Sequence, residues 1–251
     1  QQAMTEQGIT GTVRYYGCPA EETLTGKTYM ARDGVFDDLD ASITWHPGYA
    51  NTVWANGSSL AMNSFKVHFH GVEFLTGCYE LLPNPTISNI MLEKMEALGG
   101  IEFSHDDMEF ARRLQSTIDP EILEMSRQHT LDNAKEGTTI DDIGDVLCEN
   151  VIRPSDEFRI MHGSTEVGDV SQIAPTGNLL TCCHPLGSPG HSWQITASSG
   201  AEIGFKGMDY AAKAMALTGL ELMVNKDALD TAKGEFAKAT GGRTYVTPLP
   251  E

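Results

Sequence analysis

Four acids and bases stand out because of the turns that hold them. Glu21 and Glu22 are adjacent carboxylates in Tyr16-Gly17-Cys18-Pro19-Ala20-Glu21-Glu22. On a continuing strand, neighbours point to opposite faces and could not share a site. In a Cys-Pro-Ala turn that alternation breaks, and both carboxylates can face one cleft. Two such groups repel unless a cation or a shared proton relieves them, which points to a metal site with one carboxylate as ligand and the other as base. A solvated acidic helix start is the competing reading, since a helix N-terminus favours acids.

His46, in Trp45-His46-Pro47-Gly48, ends an expected strand over residues 41–45 and is a candidate metal ligand; a structural histidine is the alternative. His184 and His191 bracket a loop rich in glycine and proline, the kind of constrained backbone that binding loops use, and one of the two is expected to be a ligand. His68 and His70 share one face of an alternating strand. They could bind a metal or could simply be its polar face. Ser164-Thr165-Glu166-Val167-Gly168-Asp169-Val170-Ser171 places acids beside a glycine, either as a satisfied turn or as partners that orient a ligand histidine.

The elements that must position these groups read as an α/β fold. A strand is expected over 9–17, a helix over 24–33 stopped by Gly34, and a strand over 41–45. Strands follow over 64–72 and 73–82, the first with Phe65, Val67 and Phe69 on one side and Lys66, His68 and His70 on the other. Helices are expected near 88–97, 106–115 and 120–130, the last capped by Asp119. An acidic loop at 138–151 leads into a short helix. Residues 164–175 read as loop and strand, 193–197 as a strand, and 207–223 and 226–239 as closing helices. In the first of these, Ala211, Ala212, Ala214 and Ala216 permit close packing on a sheet. Motifs at the carboxyl ends of strands are where open α/β sheets gather ligands.

The bulk properties exclude several functions. Lys+Arg 17 against Asp+Glu 35 gives a formal charge of -18, which repels phosphate backbones and anionic membranes. Neither a nucleic-acid nor a membrane partner is therefore expected. No run of apolar residues is long enough for a membrane span, and no signal peptide is visible. Five cysteines without a CxxC spacing argue for a reducing cytoplasm rather than a disulfide framework or a zinc ribbon. Nucleotide-binding and serine-hydrolase signatures are absent.

In order along the chain, these pieces resemble a known family. Residues 16–22, Gly26-Lys27-Thr28-Tyr29-Met30-Ala31-Arg32-Asp33-Gly34-Val35-Phe36-Asp37-Asp38-Leu39-Asp40 and Thr44-Trp45-His46-Pro47-Gly48 resemble the zinc-exopeptidase-type amidohydrolases, which include aminoacylases and carboxypeptidase G-like enzymes. Residues 164–171 and 187–194 are similar to the branch that contains the p-aminobenzoyl-glutamate hydrolases. The resemblance implies a helix–mixed sheet–helix sandwich and two divalent ions, zinc or manganese. It implies Glu21 as general base and Glu22, His46 and His191 as ligands, with Glu22 and His191 on the same ion and Asp169 behind a ligand. It further implies hydrolysis of an amide in a small N-acyl amino acid or short peptide.

The departures from the family pattern set further expectations. An earlier Cys-Gly-His or His-x-Asp segment that supplies the remaining ligands is missing and would lie before Gln1. Val72 runs straight into Glu73, where relatives insert a ferredoxin-like lid. Residues 1–62 and 83–251 are thus expected to form a catalytic domain lacking its N-terminal third, with 63–82 as a two-stranded lid remnant. A sheet edge left exposed in this way calls for cover by another chain, in a homo- or hetero-oligomer, or by further residues. A non-catalytic homologue serving as a subunit or binding module is the alternative function.

Overall fold

A computed structural model describes residues 2–161 and 163–250. The chain is mixed α/β. After a short helix α1 (Gln2–Glu6) come a 3-10 turn at Glu21–Thr23 and α2 (Gly26–Arg32). Five strands follow: β1 (Ser42–Gly48), β2 (Thr52–Val53), β3 (Gly57–Ser58), β4 (Met62–His68) and β5 (Gly71–Cys78). Then come α3 (Pro85–Leu98), α4 (His105–Gln115), α5 (Pro120–Asn133) and α6 (Ile140–Ile143). The chain closes with β6 (Arg159–Ile160), α7 (Val167–Ser171), β7 (Thr176–Cys182), α8 (Trp193–Ser199), α9 (Glu202–Val224) and α10 (Lys226–Thr240).

The long helices begin where local chemistry says they should. Asn84 accepts from the Ile87 amide ahead of Pro85, Ser104 and Asp107 form a reciprocal capping box, and Asp119 accepts from the Glu121 amide. Each such cap satisfies an otherwise orphaned donor and is worth about 0.5–2 kcal/mol.

The central sheet has the order β1-β7-β2, with β1 parallel and β2 antiparallel to β7. Register pairs Thr44 with Asn178 and Trp45 with Leu179. Side chains alternate across the sheet, so its two faces have different tasks. Ile43, Trp45, Gly177 and Leu179 lie toward α3 and α9, in a core with Ile87, Met91, Met95, Ile203, Tyr210 and Ala214. Thr44, His46, Asn178 and Leu180 take the other face. β1 is an edge strand of this sheet.

The structure corrects several expectations. Residues 9–17 form no strand: among the described residues no strand pairs with this segment, and Val13 and Tyr15 are 70% and 94% exposed. The segment at 193–197 is helix α8, because Gln194 and Ser198, four residues apart, are buried together on one helical face. His46 lies inside β1, which runs on to Gly48 through its pairing with β7. Only Ala211 and Ala214 of the four α9 alanines are buried; Ala212 and Ala216 face outward. The strand Thr176–Cys182, central to the sheet, follows the helix α7 where loop and strand are expected.

β4 and β5 form an antiparallel hairpin with Phe69 and His70 at its tip, opposing Phe65 to Phe74, Lys66 to Glu73 and Val67 to Val72. Its outer part is open to solvent, with Phe65, Val67 and Val72 at 55%, 76% and 66% exposure. Its base is buried through Thr76, Gly77 and Cys78. No described helix is long and apolar enough to cross a membrane.

Helix α9 offers a direct test of close packing. A Cβ at Gly207 would stand 2.4 Å from the Cys183 sulfur and 2.5 Å from the Cys182 carbonyl, whereas one at Gly219 meets only the Ile43 side-chain tip at 3.7 Å. Gly207→Ala should lower unfolding free energy by about 1–3 kcal/mol. Gly219→Ala should raise it by roughly 0.5–1 kcal/mol by improving helix propensity. Urea titrations of the two variants, read against the parent chain, decide this.

Candidate metal and amide-hydrolysis site

The Glu21–Glu22 turn is held by strained backbone. Ala20 and Leu24, flanking it, adopt left-handed φ of 58° and 53°, and His191 adopts 55°. These are the three non-glycine residues with positive φ among the described residues. Such conformations cost of order 1–3 kcal/mol each and persist only where surrounding contacts impose them. Here Leu24 is the anchor: it is buried, and its carbonyl accepts from the Thr76 hydroxyl of β5 at 2.6 Å. Gly26 completes the turn, because a Cβ there would fall 1.8 Å from the Pro19 carbonyl oxygen.

The strain brings distant residues together. Glu22 Oε2 lies 3.1 Å from His191 Nε2, with both side chains largely exposed. The Glu21 Oε1 accepts from the Thr165 hydroxyl at 3.5 Å. His46 is held from two sides: its Nδ1 is 2.7 Å from Asn178 Oδ1, and the Trp54 indole stacks on its ring at 5.0 Å. Burial lowers the His46 pKa, while the Asn178 hydrogen bond and the nearby Glu21 and Glu22 carboxylates pull it back up.

Two buried carboxylates fix α2 to the far segment. Glu166, fully buried, accepts from the Lys27 amide and the Lys27 ammonium, each at 2.8 Å. Burial raises its pKa against the opposing pull of Lys27. Asp169 Oδ1 accepts from the Tyr245 hydroxyl at 2.7 Å and Oδ2 from Thr28 at 3.2 Å. Neither oxygen of Asp169 meets a histidine, because α7 turns the side chain inward against α2; the side chain that meets His46 is Asn178.

The other histidines stand apart. His184 is buried, with Nδ1 3.3 Å from the Pro185 carbonyl and its ring edge against Tyr49. His68 contacts Glu73 on the exposed hairpin, and His70 sits in its turn against Phe69. All five cysteines are free thiols, and Cys182 and Cys183 are buried.

Sequence reasoning missed Asn178 and Trp54. A signal existed for the first: an amide in the apolar run Asn178-Leu179-Leu180 is costly to bury without a partner.

The donor chemistry suits a zinc-like ion. Carboxylate and imidazole are both ligand types for such an ion, while the 3.1 Å between Glu22 and His191 is that of a direct ion-pair contact. Those two, and His46 separately, would hold such ions. Among the described residues no group of three or more His, Cys, Asp or Glu side chains is arranged to hold a metal ion.

No family model matches the chain. The chain does have a distant relative that is a hydrolase by name. It is 26% identical over 349 positions to one of the subunits of p-aminobenzoyl-glutamate hydrolase from Escherichia coli (strain K12), covering 99% of this chain and 72% of the relative. Setting 349 aligned positions against 251 residues leaves roughly 100 positions with no counterpart in this chain.

Asp169 makes this attachment of α2 to α7 sensitive to pH. Burial, the largest influence, raises its carboxyl from 3.8 to about 6, against the hydrogen bonds that favour the charged form. The folded chain therefore holds this proton more tightly than the unfolded one. The contribution to stability is greatest below 3.8 and is lost as pH rises to about 6. Tyr245→Phe removes a donor to that carboxylate. Its cost should be about 1.5–3 kcal/mol at pH 8, where the acceptor is charged, and about 0.5–1.5 kcal/mol at pH 5. Urea unfolding at the two pH values measures the difference.

Proposed function

We propose that this chain hydrolyses the amide bond of a small N-acyl amino acid of the p-aminobenzoyl-glutamate kind. The observation that carries the reading is the Glu22–His191 contact, made between two segments of strained backbone directly beside Glu21. The name of the distant relative supports the substrate class. The zinc-exopeptidase sandwich, with residues 63–82 as a lid remnant, remains our reading of the architecture. It is supported by the mixed sheet, the open hairpin and the aligned positions of the relative that have no counterpart here.

Glu22 and His191 would share one divalent ion, zinc or manganese, and His46 would serve a second. Such ions, when bound, polarise the substrate carbonyl and acidify water. Glu21 takes a proton from the attacking water and returns it to the leaving amine. The Thr165 hydroxyl lies 3.5 Å from Glu21 Oε1. Lys27 and Thr28, gripped by Glu166 and Asp169, keep the turn from relaxing. Five free thiols accord with a reducing cytoplasm.

A second reading has its own observation. Only two of the expected ligands touch, and both are exposed, as would suit an incomplete homologue acting as one part of a larger hydrolase. The relative is itself named as a subunit.

One experiment separates the two. Purified chain supplied with zinc or manganese should release glutamate from p-aminobenzoyl-glutamate or another N-acyl glutamate. Glu21→Gln should reduce the rate at least ~100-fold, the scale of a lost general base. Absence of turnover with either ion, together with weak metal uptake by elemental analysis, would leave the subunit reading in place.

A further inference from the structure

Asn178 is 2% exposed and stands on the same sheet face as His46. Its Oδ1 lies 2.7 Å from His46 Nδ1, and its backbone carbonyl accepts from the Trp54 amide at 3.0 Å. Asn178 and the stacked indole of Trp54 therefore clamp the imidazole as one unit. The other amide atom, Asn178 Nδ2, is buried without a hydrogen-bond partner among the described residues. An unpaired buried donor costs about 1–3 kcal/mol, so something must be gained by this arrangement.

Turning the amide over would place Nδ2 against Nδ1 and leave Oδ1 unpaired instead. The two arrangements differ at His46. In the first, Nδ1 carries the proton and Nε2 keeps its lone pair. In the second, Nδ1 accepts and Nε2 carries the proton. The 2.7 Å separation lies at the short end of the N–H···O range and fits the first. A histidine that ligates through one nitrogen has its tautomer set by what the other nitrogen donates to.

We propose that Asn178 is a positioning residue that accepts the Nδ1 proton of His46 and so leaves Nε2 as the lone-pair donor. The proposal rests on the reading of His46 given above, and it goes further in naming the residue that makes the histidine competent. Trp54 restricts the ring's rotation, and Asn178 selects its protonation pattern.

The test is a long-range 1H–15N correlation spectrum of the 15N-labelled full chain at pH 8 without metal, with His46 assigned by its loss in His46→Gln. The parent should show the proton on Nδ1. Asn178→Asp can only accept, so it should leave that pattern unchanged. Asn178→Leu should move the proton to Nε2 and weaken zinc binding, measured calorimetrically with zinc alone, by roughly 10–100-fold.

A proton on Nε2 in the parent, or a tautomer that reverses in Asn178→Asp, overturns the proposal. So does an Asn178→Leu chain with unchanged tautomer and zinc affinity. If Asn178→Leu does not fold, the comparison of parent with Asn178→Asp still decides. If the parent binds no zinc while its tautomer is as stated, the metal reading fails and the role of Asn178 stands.

Discussion

The burial of Glu166 and Asp169 is the constraint from which the site follows. A carboxylate taken out of water must be matched by donors, and here the donors are Lys27, Thr28 and Tyr245. Two come from the first turn of α2 and one from the C-terminal segment, so a single short stretch, α7 with its flanks, ties three parts of the chain together. Removing Lys27, the cationic partner, strands the buried Glu166 charge, at a cost of about 3–5 kcal/mol. In a chain of formal charge -18, two acids placed in the interior with dedicated donors are a selective use of burial rather than a by-product of composition.

The ties set the register of the turn that carries Glu21 and Glu22. With Gly26 closed on Pro19, Leu24 bonded to Thr76 and α2 gripped by α7, the residues between have little freedom, and Ala20 and Leu24 accept left-handed backbone. His191, on an unrelated loop, shares that strain. A turn and a loop each held away from their relaxed conformations meet at an imidazole and a carboxylate 3.1 Å apart. Backbone conformations of this kind cost stability, and here they flank Glu22 and include His191 itself.

The hairpin supplies a contrast. Its base contributes Thr76 to the anchoring of Leu24, so it belongs to the structural support of the turn. Its outer half, with Phe65, Val67 and Val72 exposed, has no such obligation, and a two-stranded hairpin is marginal by itself.

Much was legible in the chain because the information was local. Asn84, Ser104 and Asp119 mark helix starts within three residues of the amides they cap, and the alternation from Phe65 to His68 announces a strand without outside help. Where the deciding contact was distant, reading failed. Residues 9–17 have strand-like composition but no strand beside them, and the segment from Trp193 looks β-prone until burial of Gln194 and Ser198 makes it helical. Sequence alone singled out Glu21, Glu22, His46 and His191 by residue type and resemblance. Only the tertiary structure put Glu22 beside His191 and Asn178 beneath His46, because those pairings depend on backbone paths joined across more than a hundred residues, through buried charges whose partners no local pattern reveals.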